Sequence, residues 1–178
     1  MTKPSKKPGR LRQMRVVPVR PRGTPREPPP PPASVAGREL SVFPSEPVTF
    51  ASLDLPAQIL EALSSMGYGQ ATEVQAKAIP LARAGRDLIV QSRTGTGKTA
   101  AFGVPILGQI NVEDAQVTAL VLCPTRELTV QVTDELSRLG ASLGARVLAI
   151  YGGDPMPRQV EGLRRGVHIV VGTPGRLL

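Results

Sequence analysis

Apolar positions from about residue 48 onward follow two rhythms, first helical and then mixed. Ile59, Leu60, Leu63 and Met66 fall on one helical face over residues 56–66, with proline in the first turn and Gly67 behind them. That pattern predicts a helix closed by a glycine cap. A second helix is predicted after Thr72, where Thr72 and Gln75 have capping-box spacing, ending by Gly85. Pro80 is expected to break or kink it. From Asp87 the pattern becomes short continuous apolar runs alternating with amphipathic stretches. Strands are predicted at residues 87–91, 118–123, 146–151 and 167–171, and helices at about 98–109, 126–139 and 156–165. Such alternation implies an α/β fold, a parallel sheet covered by helices on both faces. Ligands of such sheets gather at the carboxyl ends of the strands.

Composition separates a different segment. Residues 1–47 hold ten of the 22 Lys and Arg, three Glu and no Asp, so seven of the net +8 charges lie there. They also carry 12 of the 19 prolines, including the run at 28–32. A stretch so poor in apolar residues cannot offset its ordering entropy, and is expected to be a disordered basic Pro/Arg-rich arm. It is either an electrostatic tether for a polyanion such as RNA or a solvated tail. The folded part is expected over residues 48–178.

The single cysteine, Cys123, excludes an internal disulfide framework and suits a reducing compartment. No run approaches the ~20 apolar residues of a membrane span, and no apolar signal core follows the first lysines. Prolines at 4, 8, 18, 21 and 25 would break the amphipathic helix of a transit peptide. The expected location is cytoplasmic, with no membrane association.

The densest chemistry lies between the strand predicted at 87–91 and the helix after it, where Ser92, Arg93, Thr94, Gly95, Thr96, Gly97, Lys98 and Thr99 are consecutive. This is a phosphate-binding loop. Glycines let successive backbone N–H groups curl toward phosphate oxygens, and the helix beginning at Lys98 adds its positive end. Lys98 is placed to reach the β- and γ-phosphates, and the Thr99 hydroxyl to coordinate Mg²⁺. The usual first glycine is replaced by Ser92, a small departure. Alone, the loop suits kinases, GTPases, transporters and helicases equally.

Further motifs occur in a fixed order: Phe50; the segment Tyr68, Gly69, Gln70, Ala71, Thr72, Glu73, Val74, Gln75; the loop; Pro124, Thr125, Arg126, Glu127, Leu128; Gly152, Gly153; and Thr173, Pro174, Gly175, Arg176. This succession resembles the first motor domain of DEAD-box ATP-dependent RNA helicases, from about Phe50 to the end of the chain. The resemblance implies a RecA-like P-loop sheet, an incomplete first helicase domain, that binds ATP with Mg²⁺ and RNA. It makes the segment through Gln75 a Q motif. Gln75 would hydrogen-bond the adenine edge, since an amide matches the donor and acceptor of adenine N6 and N7. Phe50 would stack on the base, with Tyr68 nearby and Thr72 holding the segment against the loop. Thr72 and Gln75 also suit a plain helix cap.

In the same way Pro124, Thr125 and Arg126 would contact the RNA backbone, where a guanidinium fork and helix amides bind phosphate without reading sequence. Gly152 and Gly153 would give RNA access to bare backbone. Thr173 and Arg176 would meet phosphates, with Pro174 and Gly175 setting a rigid turn. Few aromatics stand in the folded part, so the expected RNA grip is salt-sensitive and sequence-blind. Arg93 and Thr129 differ from the family's more common Gln and Ala, and His168 and Cys123 are expected to be structural.

The resemblance also places the acidic motif that gives the family its name beyond residue 178, with the Ser-Ala-Thr motif and second motor domain. No catalytic residue is expected within these 178 residues, and the chain alone is expected to bind without turnover. Its sheet is expected to expose unpaired edges, leaving the isolated chain poorly soluble or rescued by the missing half. The competing readings are a P-loop ATPase of another class, such as a DNA helicase, and a non-enzymatic nucleotide- or RNA-binding module.

Overall fold

The computed structural model describes residues 47–178, so the predicted arm, apart from its last residue, lies outside the described residues. A short 3-10 turn at Phe50–Leu53 leads into α1, Ala57–Ser65, whose Ile59, Ala62 and Leu63 are buried. Gly67 ends it with φ +80, as the sequence predicts. Helix α2, Glu73–Arg83, opens with both halves of the capping box: Thr72 Oγ1 accepts from Gln75 N, and Gln75 Oε1 accepts from Thr72 N. Such a cap contributes about 1 kcal/mol. Of the expected break or kink at Pro80, the break does not occur: α2 runs through it to Arg83. It lies on the exposed side, where water can replace the hydrogen bond that proline removes.

The remaining elements are α3 (Lys98–Leu107), β1 (Ala119–Leu122), α4 (Arg126–Gly140), β2 (Val147–Ile150), α5 (Met156–Arg164), β3 (Ile169–Gly172) and α6 (Pro174–Leu177). The three strands are parallel in the order β1-β3-β2, with Ala119 and Val147 both opposite Ile169. Neither the 3-10 turn nor α6 is predicted from sequence. One turn of helix is too short to display a period.

The strand predicted at 87–91 is not formed, so the sheet of the described residues has three strands rather than four. A strand is defined by its ladder partner, and this segment has none. A 480 Å³ groove, lined by Leu88 and Val90 on one side and Val121 and Leu122 on the other, separates it from β1. Ile89 stands fully in solvent at 104% exposure. The apolar run is present, but hydrophobicity alone cannot satisfy a strand's backbone.

Alternation along β3 divides the core. Ile169 and Val171 face the main cluster with Val104 and Leu107 of α3, Val132, Leu136 and Leu139 of α4, and Ile59 and Leu63 of α1. Val170 turns the other way, to a smaller cluster with Ile150, Val167, Leu148 and Leu177. Strand β1 shares only the first face: Ala119 and Val121 join the main cluster, whereas Leu120 and Leu122 are 56% and 59% exposed. Helix α5 packs on β2, and among the described residues nothing equivalent covers β1.

His168 is buried, and its Nδ1 accepts from the Arg146 backbone N–H at 2.9 Å, a structural role as expected. Cys123 is likewise buried, and burial raises its thiol pKa, partly offset by a hydrogen bond with Thr129. A thiol held protonated and covered reacts poorly. Iodoacetamide at neutral pH is expected to label Cys123 at least about tenfold more slowly in the native chain than in urea. Equal rates would show that the chain is open just after β1.

Candidate functional site

The loop at 92–97 joins the unpaired 87–91 segment to α3. Gly95 and Gly97 take left-handed φ values of +80 and +78, which bend the backbone around a concavity. The N–H groups of the first α3 turn have no helical acceptor and give that end a partial positive charge. Lys98, Thr99 and the loop amides therefore form a donor set suited to a polyphosphate.

Lys98 is folded back onto the loop: its Nζ donates to the Ser92 carbonyl at 3.0 Å and to the Arg93 carbonyl. Thr96 Oγ1 donates to the Arg93 carbonyl at 2.9 Å and lies 2.8 Å from Ser92 Oγ. With its single proton so engaged, Thr96 accepts there and Ser92 donates. Ser92 thus adds a bond across the loop that glycine at this position would lack.

From the other side, α2 holds the loop. Thr72 Oγ1 donates to the Thr96 carbonyl at 2.8 Å, and Gln75 Nε2 donates to the Gly97 carbonyl at 3.1 Å. Gln75 is fully buried. It approaches so closely that a Cβ on residue 97 would lie 2.2 Å from its Nε2. Gly97 is required both by its φ and by this contact.

Phe50 lies in the core with 3% exposure, edge-on to Tyr68 with ring centroids 6.1 Å apart. The Tyr68 hydroxyl donates to Glu135 Oε1 at 3.2 Å; burial and the nearby carboxylate raise its pKa. The structure therefore brings Thr72 and Gln75 onto the loop and places Phe50 and Tyr68 in the packing behind them. Engagement of a base by Phe50 or Gln75 requires this region to open, because neither presents a free surface here.

The second group of predicted residues meets at the carboxyl ends of β1, β2 and β3. Thr125 caps α4, accepting from Leu128 N at 3.2 Å. The hydroxyl of Thr129 donates to the Thr125 carbonyl at 2.9 Å, so that departure supports the same turn. The Arg126 guanidinium lies over the Tyr151 ring, 4.9 Å from its centroid, and its Nη1 approaches Gly153. Thr173 N donates to the Ile150 carbonyl at 3.0 Å, placing Pro174, Gly175 and Arg176 beside the Gly152–Gly153 turn. Arg176 Nη1 donates to the Asp154 carbonyl at 3.0 Å and to Gln159 Oε1 at 3.3 Å.

No motif in the sequence marks Tyr151, Asp154 or Gln159. A glutamine on a helix that also carries Arg158, Glu161, Arg164 and Arg165 looks solvated. Only the fold shows it to be 4% exposed.

A glycine-rich loop between an extended segment and a helix, beside a parallel sheet covered by helices, is the arrangement of a P-loop α/β domain. The family model "DEAD/DEAH box helicase" matches residues 72–178. The chain is 48% identical over 130 residues to the DEAD-box ATP-dependent RNA helicase CshA of Geobacillus kaustophilus, covering 73% of this chain and 28% of that protein. It is 47% identical over 131 residues to CshA of Bacillus subtilis, covering 74% and 26%. A crystal structure of a DEAD box protein from the hyperthermophile Methanococcus jannaschii matches with a TM-score of 0.65 and 40% identity, over 73% of this chain and 36% of that one. The chain belongs to the DEAD/DEAH box helicase family, and spans about a quarter of the length of the curated relatives it matches.

Proposed function

We propose that this chain is the ATP-binding part of an ATP-dependent RNA helicase that acts in the cytoplasm and grips RNA by its backbone. The observation that carries the nucleotide half is the double tether from α2, Thr72 to the Thr96 carbonyl and Gln75 to the Gly97 carbonyl. It couples the segment expected to face the base directly to the loop expected to hold the phosphates. Ser92 to Thr99 would hold the triphosphate, with Lys98 on its terminal phosphates and the Thr99 hydroxyl on Mg²⁺. The donor set fits: loop amides, one ammonium and one hydroxyl at a helix N-terminus, with no carboxylate among residues 92–99 to repel phosphate. Bound Mg²⁺ would neutralise phosphate charge.

The RNA half rests on Thr125, Arg126, Gly152, Gly153, Thr173 and Arg176 gathering at one end of the sheet, with Pro124, Pro174 and Gly175 shaping the turns. Guanidinium groups and helix amides are suited to phosphate oxygens and carry no base preference. Phe50 and Gln75 would read adenine once the region around them opens.

Competition against a fluorescent ATP analogue tests the base. ATP is expected to compete at least about tenfold better than GTP, since guanine presents the opposite edge to an amide. Gln75→Ala should weaken both nucleotides, because the loop tether is lost, and ATP more than GTP. Equal ATP and GTP affinity in the unmutated chain would remove adenine recognition and leave only a triphosphate site.

A further inference from the structure

The turn at Gly152–Gly153 carries no side chains, and Gly153 has φ +91, so nothing in the turn itself fixes its shape. Its two flanks are fixed from outside by one residue. Gln159 Nε2 donates to the Tyr151 carbonyl at 3.0 Å and to Asp154 Oδ2 at 3.2 Å, while its Oε1 accepts from Arg176 Nη1 at 3.3 Å. Arg176 Nη1 closes the ring by donating to the Asp154 carbonyl at 3.0 Å. Tyr151, the other flank, carries the Arg126 guanidinium on its ring.

A single amide, 4% exposed, is thus bonded directly to one of the two arginines expected on RNA phosphates and connected through Tyr151 to the other. A buried amide with both donor and acceptor engaged has little freedom, because any rotation leaves a desolvated polar group unpaired. Arg176 uses Nη1 for this ring, and its guanidinium has two further nitrogens with which to meet a phosphate. Arg126, stacked on Tyr151, keeps a planar cation at a set distance from the bare turn.

We infer that Gln159 is a positioning residue for RNA binding, holding Arg176 and, through Tyr151, Arg126 in register with the Gly152–Gly153 turn. This rests on the backbone-directed RNA binding proposed above. It touches no RNA itself; its effect is to preorganise two cations that would otherwise be ordered at the moment of binding.

The test is a titration of the full 178-residue chain, at nanomolar concentration, with a labelled oligouridine strand over a salt series. A fluorescent ATP analogue is titrated in parallel. Gln159→Met, close in volume and without hydrogen bonds, is expected to lower RNA affinity about tenfold and to reduce the salt slope by about one. Nucleotide affinity should be unchanged, since the phosphate loop is held by α2 and not by this ring.

In a double-mutant cycle with Arg176→Met, the two losses should overlap rather than add, because they break one network. Unchanged RNA affinity, fully additive losses or an equal loss of nucleotide affinity would each overturn the positioning role. If Gln159→Met does not fold, Asp154→Ala removes one bond of the ring at a half-buried site. It is expected to give a smaller loss of the same kind, about threefold, and no loss would be fatal to the inference. The underlying reading fails separately: it falls if Arg126→Ala and Arg176→Met both bind RNA as the parent does.

Discussion

Replacing Lys98 by alanine is expected to reduce ATP affinity by roughly a hundredfold or more, measured by titration with a fluorescent ATP analogue. Two effects oppose each other. In the free chain, Lys98 Nζ is bonded to the carbonyls of Ser92 and Arg93, and these bonds must be released before the ammonium can meet a phosphate. Removing the side chain spares that exchange. The bonds forgone on phosphate, however, join opposite charges and stand at the strong end of charged hydrogen bonds, above those to neutral carbonyls. Two such contacts, at about 3 kcal/mol each, exceed the two carbonyl bonds released, at about 1.5 kcal/mol each, by about 3 kcal/mol, roughly a hundredfold in affinity. The loop itself should persist, because Thr72, Gln75 and the Ser92–Thr96 contact hold it without Lys98. An affinity within about threefold of the parent would mean that the folded-back lysine is the working state and the phosphates are held by amides alone.

That exchange shows what the sequence conveys and what it withholds. The loop, its flanking helix and the Thr72–Gln75 cap are legible because each is a local pattern, in which spacing alone dictates geometry. Helices α1 to α5 fall within a few residues of their predicted bounds for the same reason: 3.6-residue periodicity is written along one segment. What Lys98 touches in the free loop, or that Arg126 rests on Tyr151, depends on contacts closed only by folding. Arg176 reaches Asp154 and Gln159, 22 and 17 residues away, across two elements, and no spacing rule links them.

The segment at 87–91 illustrates the converse limit. Its composition reads as a buried strand, yet strand identity belongs to a pair of segments. Among the described residues it has no ladder partner, and a groove lies between it and β1. Pro80 does not end α2, because the damage a proline does depends on whether water can reach the orphaned carbonyl.

The same unpaired surface yields the other large expected effect: the 178-residue chain should self-associate reversibly with rising concentration, and Leu120→Lys with Leu122→Lys should suppress it. Leu120 and Leu122 point from the face of β1 opposite the main core and are more than half exposed. Leu88 and Val90, which line the groove, are exposed as well, and Ile89 between them stands in solvent. An apolar strand face beside an edge with unbonded N–H and C=O groups is the arrangement that other chains pair with. Two lysines on that face add charge repulsion where the pairing would form, and leave Ala119 and Val121 in the main cluster. Burying two leucines of this kind is worth about 3 kcal/mol or more in total, enough to shift an association constant by roughly a hundredfold. Sedimentation velocity over a concentration series would show it as a rise in mean mass in the parent and a flat profile in the double variant. A parent that stays monomeric throughout would mean that this face is covered in solution, and the exposure of Leu120 and Leu122 would then no longer describe the free chain.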